Sequence, residues 1–391
     1  MVVSGLPTIQ MLFRSIIFAA AVQALFQISL HQIWKKNNQN DFWLMLWLFL
    51  LSLQLFFYYD SLGSSPLLNG YFGIVGFSIP LLSAPIMYHY IVQLSIGGKI
   101  NSCRLAFYIV PWLVYLLLAL SLKYFNPADI FMQFGYPHFS TQVSSLVIYF
   151  FTIPMAIVPG VYAVMGVAVL MDYQKNLPNH YSYTETINLD WLKWLTITIP
   201  VLFILLFSLI RLGSWEWVAA NEMFLYVGAV LAIWGFLIGY FSLRQRMLLL
   251  SAADSKIEDK NKDSYLDVPY KKSGLDAVRV ENIFLALLSH MDSRQAFLRE
   301  DLSLSQLAEE LAVNPNQLSQ AINQHSGGNF FSFVNAYRVE EVKKKLLDPA
   351  FSHLSILGIA LDSGFRSKSA FNRIFKQQVG MGPSEYQKMY R

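Results

Sequence analysis

The chain has 391 residues, of which 55% are hydrophobic and 14% are charged, and its formal net charge is +4. Soluble globular domains carry about 25% charged residues, so the composition excludes an ordinary soluble protein over the whole length. The single cysteine, Cys103, excludes an intrachain disulfide and a zinc site made from several cysteines.

Seven apolar runs precede residue 250, and each is long enough to cross a bilayer, which takes about 20 helical residues. Their close succession favours membrane spans over the buried helices of a soluble core. The first run lacks a basic segment in front of it and is too long for a secretory signal, so we predict that it remains as a span. The predicted spans are Met11–Trp34, Phe42–Tyr59, Tyr71–Ile96, Leu105–Leu122, Val143–Met171, Trp191–Leu212 and Met223–Leu243.

The distribution of Lys and Arg between the spans predicts their orientation, because cytoplasmic loops are enriched in both residues. With the N-terminus outside, seven basic residues fall on the inner side: Lys35, Lys36, Lys99, Arg104, Lys175, Arg244 and Arg246. Three fall on the outer side: Arg14, Lys123 and Arg211. An odd number of spans then leads the C-terminal part into the cytoplasm.

Two pairs of polar residues lie one helical turn apart within the predicted spans: Gln23 with Gln27, and His89 with Gln93. Polar side chains in a bilayer are costly unless they face the interior of a bundle. These four residues are therefore candidates for lining a ligand pocket, and hydrogen bonds between helices are the alternative interpretation. No metal-ligand cluster, phosphate-binding loop or catalytic motif appears, so the sequence predicts neither a cofactor nor an enzyme activity.

The chain becomes polar after the last apolar run. Residues 251–275 carry five Lys and five Asp or Glu residues, a composition typical of a flexible connector. An amphipathic helix is predicted next, over Asp276–Met291. It either caps the domain that follows or pairs with a second copy of the chain.

Two similar blocks follow, Ser303–Asn323 and Ser355–Phe375, and the second repeats the first after 52 residues. A repeat of this kind indicates one supersecondary unit used twice. In each block a short helix with an apolar face is followed by a break and a second helix. The shared apolar positions are Leu304, Leu307 and Ala308 in the first block, and Ile356, Ile359 and Ala360 in the second.

The breaks carry the residues that a tight turn and a new helix need. Gly364 permits a positive φ, Asn314 and Ser367 are good N-caps, and Pro315 suits the first position of a helix. Helix, tight turn and helix is the helix-turn-helix plan, in which the second helix enters the major groove of DNA.

The outward faces of the two second helices carry side chains that recognise DNA. Asn and Gln suit adenine, Arg suits guanine, and Lys suits phosphate. The candidates are Asn316, Gln317, Ser319 and Gln320 in the first unit, and Arg366, Lys368, Ser369, Asn372, Arg373 and Lys376 in the second. Because the first unit's candidates include no Lys or Arg, the second unit is predicted to supply most of the phosphate attraction.

The span from Leu302 to Tyr390 resembles the AraC/XylS type of DNA-binding domain. The resemblance lies in LAEELAVNPNQLSQAIN, in NFFSFVNAYRVEEVKKKLL, in IALDSGFRSKSAFNRIFK and in VGMGPSEYQ. It implies two helix-turn-helix units joined by a rigid helix over Asn329–Leu347, a bacterial protein, and double-stranded DNA as the partner.

The predicted fold class is all-α. Residues 1–250 are predicted to form a membrane part that senses a signal, residues 251–275 a linker, and residues 276–391 a DNA-binding domain. Within that domain the first helix-turn-helix is predicted at 303–323, the linking helix at 329–347 and the second helix-turn-helix at 355–377. The favoured hypothesis is a transcription regulator in the bacterial cytoplasmic membrane, with its C-terminal domain in the cytoplasm. Its other predicted partners are the bilayer, an unidentified small-molecule or envelope signal, and a second copy in a homodimer.

Two other hypotheses remain open at this point. One is a transporter or membrane enzyme with an appended regulatory helix-turn-helix domain. The other is a membrane-tethered module that binds a protein through its helix-turn-helix units.

Overall fold

We describe the fold from a computed structural model. It describes residues 6–390 except 34–39, 64–66, 97–101, 127–128, 134–135, 141–142, 186, 199, 202–227, 242 and 245–276. The chain forms two compact units. The first comprises Met1–Met171 and Asp190–Leu250, and the second comprises Asp172–Leu189 and Ser251–Arg391.

The first unit is built from long apolar helices that pack against their neighbours in sequence. Its described elements include α1 (Leu6–Ile33), α2 (Asn40–Ser61), α3 (Leu67–Ile96), α4 (Ser102–Phe125), strands β1 (Ile130–Gln133) and β2 (Tyr136–Phe139), and most of α5 (Ser145–His180). The end of α5, from Asp172 onward, belongs to the second unit. Hydrogen bonds between described residues also join the helices. The hydroxyl of Ser52 donates to the carbonyl of Ala21 at 2.9 Å, and the indole of Trp112 donates to the hydroxyl of Ser78 at 3.1 Å.

Five of the helices are long and apolar enough to cross a bilayer, and they correspond to the first five predicted spans. The sixth and seventh predicted spans are described only in part. Residues 190–201 are helical around the undescribed residue 199, and Gly228–Phe241 is a shorter apolar helix. The described residues therefore support five spanning helices, and a count of seven stays a prediction.

The expectation of an all-α chain misses one antiparallel hairpin between α4 and α5. Strands β1 and β2 pair with Ile130 opposite Phe139 and Phe131 opposite His138. Ile130 is buried and packs with Ala119 of α4 and Phe151 of α5. The sequence here is rich in aromatic residues, which favour strands, but it is too short to show a period.

The second unit contains seven helices among its described residues. They are α6 (Ala277–Arg294), α7 (Leu304–Glu310), α8 (Pro315–Ser326), α9 (Phe330–Leu347), α10 (Ile356–Asp362), α11 (Lys368–Val379) and α12 (Pro383–Tyr390). Two short 3-10 helices lie between these elements: Ala296–Leu298 between α6 and α7, and Pro349–Phe351 between α9 and α10. The predicted linking helix, 329–347, is α9 with Asn329 as its N-cap; the Asn329 side chain accepts from the Ser332 amide at 3.0 Å.

Helix α9 joins two separate hydrophobic cores. Its first half supplies Phe330 and Val334 to a core shared with α6, α7 and α8. Its second half supplies Val339 and Val342 to a core shared with α10, α11 and α12. Each helix-turn-helix therefore packs on its own half of one continuous helix, whose 18 residues give a length of about 27 Å.

The two turns have the same backbone form, 52 residues apart. Ala312 and Gly364 both have a positive φ, 52° and 91°. The next amide in each case closes a bond to a carbonyl five residues back: Val313 to Ala308 at 2.9 Å, and Phe365 to Ala360 at 3.1 Å. This 6→1 bond marks the Schellman type of helix end, and it explains why the repeat extends from the apolar faces into the turn.

Candidate nucleic-acid interface

Helix α11 presents a continuous polar face. Ser367 caps it, since its hydroxyl accepts from the Ala370 amide at 3.1 Å. At about 100° per residue, the buried side chains occupy one side and the polar ones an arc of roughly 140° on the other. The exposed members of that arc are Lys368, Ser369, Asn372, Arg373 and Lys376, all of them predicted DNA-binding residues.

Arg373 is exposed but not free. Its guanidinium donates to a carboxylate oxygen of Glu185 at 2.9 Å, and its side chain remains 56% exposed. Glu185 belongs to the segment between α5 and the helical stretch that starts at residue 190. The charge that was predicted to meet a base edge is therefore matched by an acid of the same chain.

Arg366 is placed differently from the prediction. Its guanidinium lies over the ring of Tyr183, 4.4 Å from the centroid, and 3.9 Å from a carboxylate oxygen of Glu300. Its side chain is only 18% exposed. Arg366 precedes the N-cap of α11, so helical spacing did not indicate its direction.

Helix α8 offers a narrower polar face than expected. Asn314 caps it and accepts from the Asn316 amide at 2.8 Å. Asn316 is exposed, whereas Gln317 and Ser319 are half-buried. Gln320 is only 9% exposed, contrary to its expected outward position. Periodicity places Gln320 beside Asn316, but exposure also depends on neighbouring elements, which periodicity does not describe.

The residue that sequence reasoning missed is Arg338, in the middle of α9. It is 1% exposed. Its guanidinium donates to the carbonyls of Phe297 at 2.8 Å and Arg299 at 2.7 Å, and to both the carbonyl and the hydroxyl of Ser182 at 3.1 Å. Burial, aided by the nearby charge of Arg366, lowers the pKa of Arg338 to about 10, so it stays protonated at neutral pH. A charged residue among the apolar positions of a helix was the available signal.

The segment that contains Ser182 was predicted only as part of a loop between spans. Ser182 is 1% exposed. Its amide donates to the carbonyl of Leu302 at 3.2 Å, and Tyr181 forms an antiparallel bridge with Ser303. The second unit therefore includes residues from both sides of the undescribed stretch 245–276.

The lysine cluster at the end of α9 is engaged within the protein. Lys345 is 8% exposed and pairs with Asp362 at 2.5 Å and with Glu341 at 3.4 Å. Lys343 pairs with Glu340 at 2.8 Å. These lysines were not predicted to touch DNA. The pair of Lys345 with Asp362 joins α9 to α10, whereas the pairs with Glu340 and Glu341 lie within α9.

The four residues predicted to line a ligand pocket lie in α1 and α3. His89, Gln93 and Gln27 are about 3–4% exposed, and Gln23 is half-buried. The ring of His89 lies 4.6 Å from that of Trp43. A cavity of about 420 Å³ lies among α3, α4 and α5, with Tyr88, Tyr108 and Tyr162 on its walls. None of the four predicted residues lines this cavity. Their role in binding stays a prediction.

Comparison with known proteins assigns the C-terminal part. A family described as "Helix-turn-helix domain" matches residues 307–389. An uncharacterized HTH-type transcriptional regulator of Staphylococcus aureus (strain COL) is 35% identical over 95 residues, which are 24% of this chain and 12% of that protein. The melibiose operon regulatory protein of Escherichia coli (strain K12) is 33% identical over 88 residues, which are 22% of this chain and 28% of that protein.

A solved structure is also similar in part. The C-terminal domain of AraT, a response regulator from Geobacillus stearothermophilus, is 29% identical; the match covers 30% of this chain and 88% of that chain, with a TM-score of 0.24. The chain spans less than a third of the length of either full-length relative, so the similarity concerns one domain. Residues 307–389 of this chain form a helix-turn-helix domain of the AraC type.

Proposed function

We propose that this protein is a membrane-embedded transcription regulator, which binds a specific DNA site through its two helix-turn-helix units under the control of a signal. The observation that carries the DNA-binding part is the face of α11. It holds Lys368, Arg373 and Lys376 together with Ser369 and Asn372 on one exposed side of a capped helix. This set combines phosphate attraction with groups that read base edges.

Helix α9 sets the spacing of the two helix-turn-helix units on DNA. Its length of about 27 Å is close to one turn of DNA, which is roughly 34 Å. With α8 packed on one half and α11 on the other, one chain can reach two successive major-groove segments. Helix α11 supplies most of the affinity, and Asn316 and Gln317 of α8 contribute discrimination.

The apolar helices support the membrane part of the proposal. In Ala106–Phe125 of α4 only 17% of the residues are buried in the protein, although the segment is apolar. Phe107, Leu117 and Leu118 are half or more exposed. Such a surface is stable in lipid and costly in water. Five apolar helices long enough to cross a bilayer, ahead of a DNA-binding domain, favour a membrane regulator over a soluble one.

Signal sensing is the remaining part. A ligand or envelope signal that favours one packing of the apolar helices would change the state of the attached DNA-binding domain by a shift in population. A transporter with an appended regulatory domain is the alternative. The regulator is favoured because one similar protein is named as a transcriptional regulator and another as an operon regulatory protein.

The test is selection of DNA from a random pool by the full-length protein held in lipid nanodiscs. Wild type and Glu185→Gln are run in parallel, because Glu185 pairs with Arg373 in the wild type. We expect an enriched motif with two parts about one helical turn apart. Arg373→Ala should relax selection at one position, at a cost of about 1–3 kcal/mol. If neither protein enriches a motif at moderate salt, the proposed function is wrong.

A further inference from the structure

The segment between α5 and residue 190 is bound to the DNA-binding domain by a network of buried hydrogen bonds. Ser182 lies at its centre and is 1% exposed. Its amide and its hydroxyl both donate to the carbonyl of Leu302, at 3.2 and 2.7 Å. Its carbonyl accepts from Arg338 at 3.1 Å and from Asn335 at 3.2 Å. Every backbone and side-chain polar group of Ser182 is thus matched, by Asn335 and Arg338 of α9 and by Leu302, which precedes α7.

Asn335 and Arg338 each have a buried donor that bonds to the carbonyl of Ser182, so the site is suited to holding a segment of chain. Asn335 is 1% exposed, like Arg338. Buried polar groups are normally hydrogen-bonded, and leaving them without a partner is costly. Without Ser182, Nη1 of Arg338 would keep only the side-chain oxygen of Asn335, at 3.3 Å.

From this anchor the segment reaches the DNA-reading helix. Tyr183 packs its ring under the guanidinium of Arg366, 4.4 Å away. Two residues further on, Glu185 accepts from Arg373 at 2.9 Å. Both arginines that flank the N-terminal half of α11 are therefore engaged by one short piece of chain. A carboxylate at this place also repels the phosphates of an approaching duplex.

We propose that Tyr181–Glu185 is an inhibitory segment, which docks through Ser182 and competes with DNA for Arg373. The inference rests on the proposed function, since it assigns a regulatory partner to the same DNA-binding surface. The partner is a segment of this chain, identified by its hydrogen bonds and its acidic side chain.

In this proposal the segment would also respond to a change at the end of α5. It continues directly from α5, and it is braced against the end of that helix. The hydroxyl of Tyr173 donates to the carbonyl of Ile187 at 3.0 Å, and the side-chain amide of Gln174 donates to the carbonyl of Asn188 at 2.7 Å. A change in the last turns of α5 therefore moves Glu185 with it.

The strength of the competition follows from the exposure of the ion pair. Arg373 is 56% and Glu185 is 30% exposed, so the pair by itself is weak and can be displaced by DNA. Removing the carboxylate also removes its repulsion of phosphate. Together we expect Glu185→Gln to tighten specific DNA binding by about threefold to tenfold at moderate salt.

The experiment measures the affinity of the nanodisc-held full chain for its selected DNA. Glu281→Gln, on an exposed part of α6, is the matched control, because it makes the same chemical change away from the segment. The gain should appear with Glu185→Gln and be absent from Glu281→Gln. It should also disappear on an Arg373→Ala background, because the residue under competition is then missing. An equal gain in all three cases would overturn the proposal in favour of a general charge effect.

A disulfide staple tests docking itself. Tyr181 and Ser303 form a non-hydrogen-bonded antiparallel pair, with Cα atoms expected about 4.5 Å apart, within the range of a disulfide. In a chain with Cys103→Ser, we expect Tyr181→Cys with Ser303→Cys to bind DNA at least about threefold more weakly when oxidised than when reduced. The single variant Tyr181→Cys should not respond to oxidation.

The two proposals fail in different ways. If no form of the protein binds selected DNA, the proposed function is wrong. If wild type, Glu185→Gln and the stapled protein in both redox states bind the same DNA equally well, the protein is a DNA binder and the inhibitory segment is wrong.

Discussion

Arg338 provides the sharpest test of what stabilises the second compact unit, which contains both helix-turn-helix units. In Arg338→Ala, the carbonyls of Phe297 and Arg299 and both oxygens of Ser182 lose a donor. Each buried acceptor left unmatched costs about 1–3 kcal/mol. Water entering the vacated polar space recovers part of the sum, and Ser182 keeps its bond to Asn335. We therefore expect a net loss of about 3–5 kcal/mol, less than the sum of the separate costs.

Arg338→Lys should cost less, roughly half as much. Lysine keeps the positive charge, but its ammonium offers three donors from one point, whereas the guanidinium has donors on three nitrogens that point in different directions within its plane. Lys344→Ala is the control on the same helix, because Lys344 is exposed and α9 is otherwise unchanged. Its effect should stay within about 0.5 kcal/mol.

The assay is hydrogen–deuterium exchange of the full-length protein in nanodiscs, followed on peptides from α9, α10 and α11. Tryptophan fluorescence does not serve, since neither 172–189 nor 251–391 contains a tryptophan. A loss of 3 kcal/mol accelerates exchange of the protected amides by a hundredfold or more. If Arg338→Ala accelerates exchange by less than about fivefold, the hydrogen bonds described here do not hold the unit together.

Three further predictions concern single sites. Gly364→Ala should destabilise the second compact unit by more than about 2 kcal/mol, because φ is 91° and a Cβ would lie 2.5 Å from the carbonyl oxygen of Phe297. Ala312→Gly, at the matching but exposed position, should instead stabilise it by about 0.5 kcal/mol. Hydrogen–deuterium exchange measures both effects. Lys376→Ala should weaken binding to all DNA sequences alike and reduce the slope of log affinity against log salt by about one; an unchanged slope would contradict a phosphate contact. Burial alone would raise the pKa of Glu310, but hydrogen bonds from Arg299 and His290 outweigh it and hold the pKa below its usual 4.5. The stability it contributes is present above about pH 4.5 and lost as the pH falls through the lower folded pKa, so Glu310→Gln should lower stability at pH 7 and make no difference near pH 2.

The helix-turn-helix units were largely predictable because their signals are local. Apolar spacing, the caps Asn314 and Ser367, and the turn glycine Gly364 all act within a few residues of each other, and each takes the expected place. The linking helix was placed within one residue of its observed start. A capping box forms at Ser303, whose hydroxyl accepts from the Gln306 amide and whose own amide donates to the Gln306 side chain.

Contacts between distant parts of the chain were not predictable in the same way. Ser182 meets Arg338 across 156 residues, and Glu185 meets Arg373 across 188. No periodicity links such positions. The burial of Gln320 and the turning of Arg366 toward Tyr183 were missed for the same reason, since both depend on elements outside their own helix.

Sequence alone determined which helices form and which of their faces are apolar, because propensity, capping and periodicity operate over one or two helical turns. It also determined that α11 carries the basic residues. Only the tertiary structure decided which of those residues are available, because availability depends on what packs beside them. Lys368, Asn372 and Lys376 are left open on α11, whereas Arg373 is matched by Glu185 and Arg366 is drawn to the same segment, which Ser182 anchors to the buried guanidinium of Arg338.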